Sequence, residues 1–432
     1  MEETLTRAAR GTEEGMGAIL EHAERMWSWD GGGPVTPFTP IFAAEEIADG
    51  VGFVSSFANV TALTTPGGLV LVDTGSFVLA GPTKGLVRGI TEAPLDTAIF
   101  THGHVDHCFG VELYEAESGR PARVVAHARV PDRFARYRLT RGYNGCINGR
   151  QFGSAVTWPD QFRAPDVVYQ ESLALVVGGV ELRLSHARGE TDDHTWVWVP
   201  SRRLLATGDL FIWACPNAGN PQKVQRYPRE WAAALRQMAA LDAEILCPGH
   251  GVPIVGAARV KQALGETAAL LESLVDQTLA LMNEGRPLDE ILGEVRAPAA
   301  LLARPYLRPI YDEPEFIVRS IWRLYGGWWD GDPAHLKPAR TDALAAELAA
   351  LAGGASRLAD RARALLDDDG GTIADRDQAL ALAAHLAELA ARAAPDDDAI
   401  RRVRRAVYEA RSDRETSLMA RNIFRAAADR AR

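Results

Sequence analysis

Residues 101–110 read THGHVDHCFG, which places three histidines and an aspartate within six positions directly after the apolar run TAIF. Along an extended segment successive side chains alternate, so His102 and His104 point the same way, while Asp106 and His107 follow on the turn. Imidazole nitrogens and carboxylate oxygens are the donors a divalent transition ion takes. One short loop can therefore feed two neighbouring metal centres. The chain has ten histidines, and three of them here make a chance group of surface histidines a weak reading.

Working outward, the flanking segments share one grammar. GFVSSF, ANVTALTT and GLVLVDTG, at about 52–75, are rich in Val, Thr and Leu and broken by Gly or Pro, which predicts a strand meander. LVRGITEAPLDTAIF, 86–100, predicts a helix end, a turn and a buried strand that delivers the histidine loop. GVELRLSHARGE, TWVWVPSRRLLATGDL and DAEILCPGHG each repeat the pattern of an apolar run followed by a polar residue set with glycine. Loops at strand ends are where a rigid scaffold presents chemistry. Four such clusters predict one shared site.

Near residue 260 the composition changes. From VKQALGETAALLESLVDQTLALMNEG onward the apolar spacing is helical, interrupted by RPYLRPIYDEPEFIVRSIWRLYGGWWDGDPAHLKPAR and Ala-rich beyond 340. The expected division is 1–258, with a helical leader, and 259–432, an all-α region of stacked hairpins without a fixed repeat. Length suits two domains of ordinary size. The net charge of −10 argues against a nucleic-acid binder relying on a basic surface and leaves room for a local cationic pocket. Cys108, Cys146, Cys215 and Cys247 lie far apart, as in a reducing compartment. The acidic N-terminus is unlike a signal peptide and no apolar run is long enough to span a membrane, so the expectation is a cytoplasmic protein without membrane or nucleic-acid partners.

The THGHVDH loop resembles the metal-binding motif of the metallo-β-lactamase superfamily. VDTG (Asp73), TGD (Asp209) and PGHG (His250) match further family positions in order, over about residues 40–255. The resemblance implies an α/β fold, the αββα sandwich, and two metal ions. Asp73 supports the metal loop, Asp209 bridges the ions, and His250 is the last histidine. Where most members place a histidine on a GHT-type turn, this chain reads SHARGETDDH, with Glu190 on the turn and His186 four residues earlier; either is a candidate ligand, and Glu190 is favoured. The expected sets are His102, His104 and Glu190 for one ion, Asp106, His107 and His250 for the other, and Asp209 between. Asp192, Asp193 and His194 are expected to be turn or supporting groups. Mixed N/O ligation suits zinc, two per chain, with manganese or iron as alternatives.

A glutamate at that position is a feature of the alkylsulfatase branch, and LYGGWWDGDPAHLKP, 324–338, resembles the opening of the alkylsulfatase dimerisation domain. The resemblance implies a homodimeric dizinc hydrolase that cleaves a sulfate ester by attack of a metal-bound hydroxide oriented by Asp106 and Asp209. The large alkylsulfatases carry a further sterol-carrier-like domain that the chain lacks, which argues against storage of a long alkyl chain. Three carboxylates leave the site roughly neutral, so an anionic small-molecule ester needs cationic help. Candidates for substrate binding are Asn217, Lys223 and Arg226, and Tyr143, Asn144 and Arg150 from TRGYNGCINGRQF, a segment too glycine-rich to predict as plain helix. Asn148 belongs to the same cluster. Phe211 and Trp213 are expected beside the organic group, and the aromatics of YGGWWDG either pack at the domain junction or touch substrate. Rival readings are a hydrolase of a carboxylic ester, lactone, thioester or phosphodiester, and a dimeric scaffold that keeps metal for stability. A flavin-linked di-iron enzyme fits less well.

Overall fold

The computed structural model describes residues 17–368 and 370–429. The first sixteen residues of the predicted leader, including the acidic terminus weighed against a signal peptide, lie outside the described residues. The chain then runs α1 (Ala18–Trp27), β1 (Ala43–Ala48), β2 (Val51–Ser55), β3 (Val60–Thr65), β4 (Gly68–Val72), α2 (Ala80–Ile90), β5 (Leu95–Ile99), α3 (Val111–Ser118), β6 (Arg123–His127), α4 (Val130–Leu139), α5 (Arg141–Phe152) and β7 (Val167–Tyr169). Next come β8 (Ser172–Val177), β9 (Val180–His186), β10 (Thr195–Val199), β11 (Leu204–Ile212), α6 (Pro228–Ala239), β12 (Ile245–His250), β13 (Ile254–Val255) and α7 (Ala257–Asn283). Short helices α8 (Leu288–Glu294) and α9 (Ala299–Leu302) precede α10 (Pro314–Gly326) and α11 (Pro333–Leu336). Helices α12 (Thr341–Ala352), α13 (Ala355–Asp367), α14 (Ile373–Ala393), α15 (Asp398–Arg414) and α16 (Leu418–Asp429) complete it.

Among the described residues two compact units emerge, one of residues 17–141, 158–285 and 291–327, the other of 142–157, 286–290, 328–368 and 370–429. In the first, strands β1 to β7 form one sheet in sequence order, and the second sheet runs β13-β12-β11-β10-β9-β8. The meander predicted for 52–75 is β2, β3 and β4, paired antiparallel, after which β4, β5, β6 and β7 pair parallel. Side-chain alternation builds the layers. In TWVWV of β10, Val197 and Val199 face the core between the sheets with Val70 and Val72 of β4, while Trp196 and Trp198 face the helical layer with Trp231 and Leu235 of α6. On the far side of the first sheet, Leu69 and Leu71 pack with Val87, Val111 and Phe134 of α2, α3 and α4. The result is the expected αββα sandwich, and it sets the ends of β4, β5, β9, β11 and β12 around one point.

The division expected at 258/259 falls just inside α7. Helices α7 and α10 remain with the first unit because Leu264, Leu271, Ile317 and Ile321 close the apolar layer started by Trp231 and Trp213. The second unit is all-helical. Alanines 383, 384 and 387 on α14 are buried with Ala362 and Leu365 of α13 and Val407 of α15, and Ala390 with Leu358 and Ala359 of α13 and Ile400 of α15, small side chains that let helices pack closely. Thr372 and Asp375 form a capping box that starts α14, and Asp397 caps α15. Alone among the motif segments, TRGYNGCINGRQF was misjudged: it is helix α5, and its glycines serve packing, since a Cβ on Gly145 would meet Val156 O at 2.9 Å and one on Gly149 would meet Ser154 O at 3.1 Å. Trp328 is 72% exposed and Trp329 40%, so neither is buried by plain packing within this chain.

Candidate metal centre

The site starts at the end of β4. Asp73 is buried and adopts φ 58°, a left-handed conformation that a non-glycine residue keeps only when its surroundings hold it there. Its carboxylate accepts from Thr101 N at 2.7 Å, Thr101 Oγ1 at 2.8 Å and His107 Nδ1 at 2.7 Å. One carboxylate thereby fixes both ends of the histidine loop. It also sets the His107 tautomer, leaving Nε2 to face inward. His250 is oriented in the same way, its Nδ1 donating to Phe57 O at 2.6 Å.

Two groups of donors converge: His102, His104, Glu190 and Asp209, and Asp106, His107 and His250, with the ligand atoms of each group within 4.8 Å of one another. Asp209 lies between them. Its Oδ1 is 3.3 Å from His107 Nε2, and its Oδ2 is 3.4 Å from His250 Nε2 and 3.9 Å from His102 Nε2. Asp106 Oδ2 stands 3.7 Å from His107 Nε2 and 3.6 Å from His250 Nε2. Glu190 Oε2 stands 3.7 Å from His102 Nε2 and 3.6 Å from His104 Nδ1. All seven residues of the two predicted ligand sets are thus brought together.

Glycines make this convergence possible. A Cβ on Gly249 would sit 2.0 Å from Asp209 Oδ1, and one on Gly208 would sit 2.6 Å from Thr101 Cβ. The TGD and PGHG glycines are therefore required by the close approach of β11, β12 and the histidine loop. A Cβ on Gly189, before Glu190, would meet Leu210 Cδ2 at 2.3 Å, so that leucine side chain would have to give way.

The electrostatics ask for cations. Burial pushes the imidazoles of His102 and His104 well below their usual range, so they are neutral donors. Burial, followed by the repulsion of Asp209, holds the Glu190 carboxyl well above the usual carboxylate range despite the opposing pull of Arg226. Burial would raise Asp209 too, but His250 and His107 outweigh it and hold that carboxyl well below its ordinary value. Buried atoms Glu190 Oε2, Asp209 Oδ1 and His107 Nε2 have no hydrogen-bond partner. Orphaned ligand atoms in both groups fit divalent ions, since leaving such groups unpaired is costly.

The remaining candidates separate. His186 is outside both groups: its ring stacks on His127 at 3.8 Å and its Nδ1 donates to His194 O at 2.8 Å. His194 stacks on His102 at 4.5 Å. Asp193 and Asp192 hold buried Arg133, each at 2.6 Å, and Asp193 also accepts from Gly103 N at 3.2 Å. Asn217 Nδ2 and Arg226 both contact Glu190, the latter with Nη2 3.4 Å from Oε1 and Nη1 donating to the backbone oxygen. Lys223 Nζ lies 5.8 Å over the Trp158 ring, and burial, then Arg226, brings its ammonium down to about 7 while Asp106 and Glu190 pull the other way. Arg226, just before α6, is buried rather than solvated. Phe211 and Trp213 are fully buried core, with Trp213 Nε1 bonded to Val252 O, so neither is placed to flank a substrate. Tyr143, Asn144, Asn148 and Arg150 lie on α5, in the part grouped with the second unit; Tyr143 is exposed, whereas Asn144 and Asn148 are buried.

Two features escaped the sequence reading. Phe38, from the Gly- and Pro-rich stretch DGGGPVTPFTP at 30–40, stacks on His250 at 5.2 Å and on Tyr311 at 5.0 Å. Arg133 is one of four arginines in the run RVPDRFARYR, and nothing local marks it as the buried one.

Comparison with known proteins agrees with this geometry. Residues 55–250 match the metallo-beta-lactamase superfamily and 287–432 match the alkyl sulfatase dimerisation family. A linear primary-alkylsulfatase from Pseudomonas sp. is 29% identical over 326 residues, 68% of this chain and 61% of that protein. An (R)-specific secondary-alkylsulfatase from Pseudomonas sp. is 25% identical over 345 residues, 72% and 51% of the two chains. The chain spans only about half to three-fifths of the length of these relatives. The solved stereoselective inverting sec-alkylsulfatase from Pseudomonas sp. shares the fold, with TM-score 0.80 and 22% identity over 90% of this chain and 66% of that one. With one family model covering the sandwich that gathers the donors and the other covering the helices that follow, residues 55–250 form a metallo-β-lactamase superfamily domain, a fold that implies divalent-metal binding, and residues 287–432 form an alkyl sulfatase dimerisation domain.

Proposed function

We propose that this chain is a dizinc hydrolase of sulfate esters. The observation that carries the reading is the double donor cluster, with Asp209 between its halves and buried oxygen and nitrogen atoms left without partners. The similarity to alkylsulfatases across both halves of the chain points to the ester class. His102, His104 and Glu190 would hold one ion, Asp106, His107 and His250 the other, and Asp209 both.

Bound there, two divalent ions would acidify a water and polarise the ester. The chain's own residues supply the rest. Asp106 and Asp209 carry the carboxylates that orient the attacking water. Asp73 and the Phe57 carbonyl accept from Nδ1 of His107 and His250 and so turn Nε2 of each ring toward the place an ion would take. Lys223 supplies positive charge for an anionic ester, and Asn217 and Arg226 stand beside it on the same loop. Tyr143, Asn144 and Arg150 are proposed as further substrate contacts. The helical half, matched to a dimerisation family and bearing exposed Trp328, Leu351 and Ile373, supports a homodimer. We place the functional division at 258/259, and the four free cysteines fit a cytoplasmic location.

The test is sulfate release, by ion chromatography, from zinc-loaded protein given short and long, primary and secondary alkyl sulfates beside a carboxylic ester, a lactone and a phosphodiester, with Asp106→Ala as blank. Sulfate released by the wild type and absent from the blank is the expected result. Turnover of another ester without sulfate release would keep the metal centre and discard the sulfate assignment.

A further inference from the structure

The loop after β11 was expected to grip the substrate anion, yet its buried arginine faces the metal centre's unusual carboxylate. Arg226 is 2% exposed and Glu190 1%. Nη1 donates to the Glu190 backbone oxygen and Nη2 lies 3.4 Å from Oε1, the oxygen that also accepts from Asn217 Nδ2. Oε2 is thereby left without a hydrogen bond and turned toward His102 and His104. The loop itself is anchored: Tyr227 N donates to Gly189 O at 3.0 Å, and Gln225 Nε2 to Ser320 O at 3.0 Å and Ser320 Oγ at 3.1 Å. Gly189 packs against Trp231 on α6 and Leu210 on β11, so the turn is held on both sides as well as tied to the loop.

We infer that Arg226 is a positioning residue for Glu190 rather than a ligand of the substrate anion: with Asn217 it occupies Oε1, so that Oε2 alone is presented to the ion shared with His102 and His104. This rests on the assignment of Glu190 as a ligand. A carboxylate free to rotate can offer either oxygen or both, whereas a guanidinium on one oxygen and on the adjoining backbone fixes the angle of the other. The same cation offsets the extra negative charge that a glutamate brings where most relatives carry a neutral histidine. The third carboxylate is then compatible with an anionic substrate. Two groups on one carboxylate oxygen are what a ligand clamp requires, and a substrate-facing arginine would turn its fork toward open space.

Equilibrium zinc titration of the metal-stripped full chain, in competition with a chromophoric chelator, resolves the affinity of each ion; steady-state kinetics on an alkyl sulfate gives KM. Glu190→Gln is expected to abolish one of the two tight sites. Arg226→Gln is expected to weaken that same site about 10- to 100-fold, leave the other unchanged, and add nothing in the Glu190→Gln background. Should Arg226→Gln fail to fold, Arg226→Lys keeps the charge but loses the fork, and is expected to weaken the same site several-fold with KM at saturating zinc unchanged. Zinc affinities equal to or tighter than wild type in the Arg226 variants, with KM raised, would overturn the inference and return Arg226 to the substrate. Two tight sites in Glu190→Gln would instead overturn the ligand assignment.

Discussion

At the scale of the residue, the convergence of seven candidate donors was legible because most of them sit in short motifs whose spacing fixes their direction. His102, His104, Asp106 and His107 lie in one loop, and Asp209 and His250 each follow an apolar strand. What could not be read was the partner of each polar side chain. Arg226 looks like a solvated charge one residue before a helix-opening YP pair, and only the folded loop shows it turned onto Glu190. Lys223 differs, because its ammonium is brought down to about 7, and so carries charge below that pH and loses it above. If it meets the substrate anion, KM for an alkyl sulfate should rise about tenfold between pH 6 and 9, the worth of one charge-assisted hydrogen bond. Lys223→Arg, protonated throughout, should flatten that rise; an equally steep profile in the variant would remove Lys223 from the substrate site. Asp73→Asn should leave the fold intact while loosening His107, weakening zinc at the Asp106 site about 10- to 100-fold in a chelator titration.

At the scale of the element, strands were predicted well because both faces of β2, β4 and β11 are buried and read as continuous apolar runs. Helix α5 was misjudged because glycine lowers helix propensity, whereas here Gly145 and Gly149 are needed so the returning chain can lie against the helix. The same logic of contact, rather than propensity, governs Gly249. Its substitution by alanine would drive a methyl group into Asp209, costing about 1–3 kcal/mol of stability in the metal-free protein and displacing the central carboxylate. Urea unfolding and a zinc titration should report both losses together. A Gly249→Ala protein with full stability and both ions bound would show that β11 and β12 separate more easily than their register implies.

At the scale of the whole chain, composition changes near residue 260, whereas packing groups the helices. Helices α7 and α10 lie on the helical side of that change, yet their leucines and isoleucines complete the layer over the second sheet. Leu271→Ala, in that layer, should cost about 2–5 kcal/mol in urea unfolding, as deletion of a fully buried side chain does. A value near zero would mean that α7 contributes nothing to the sandwich. Assembly belongs to this scale as well. Light scattering on the eluted peak should give about twice the chain mass of 46.8 kDa, and a monomer at micromolar concentration would count against the dimer. The most direct measurement joins the metal centre to the chemistry: sulfate release from an alkyl sulfate, followed while metal-stripped protein is titrated with zinc. Turnover should be absent at the start, rise with added zinc and break at two ions per chain. Full turnover before any metal is added, or a break at one, would contradict a dinuclear centre built on His102, His104, Glu190, Asp106, His107, His250 and Asp209.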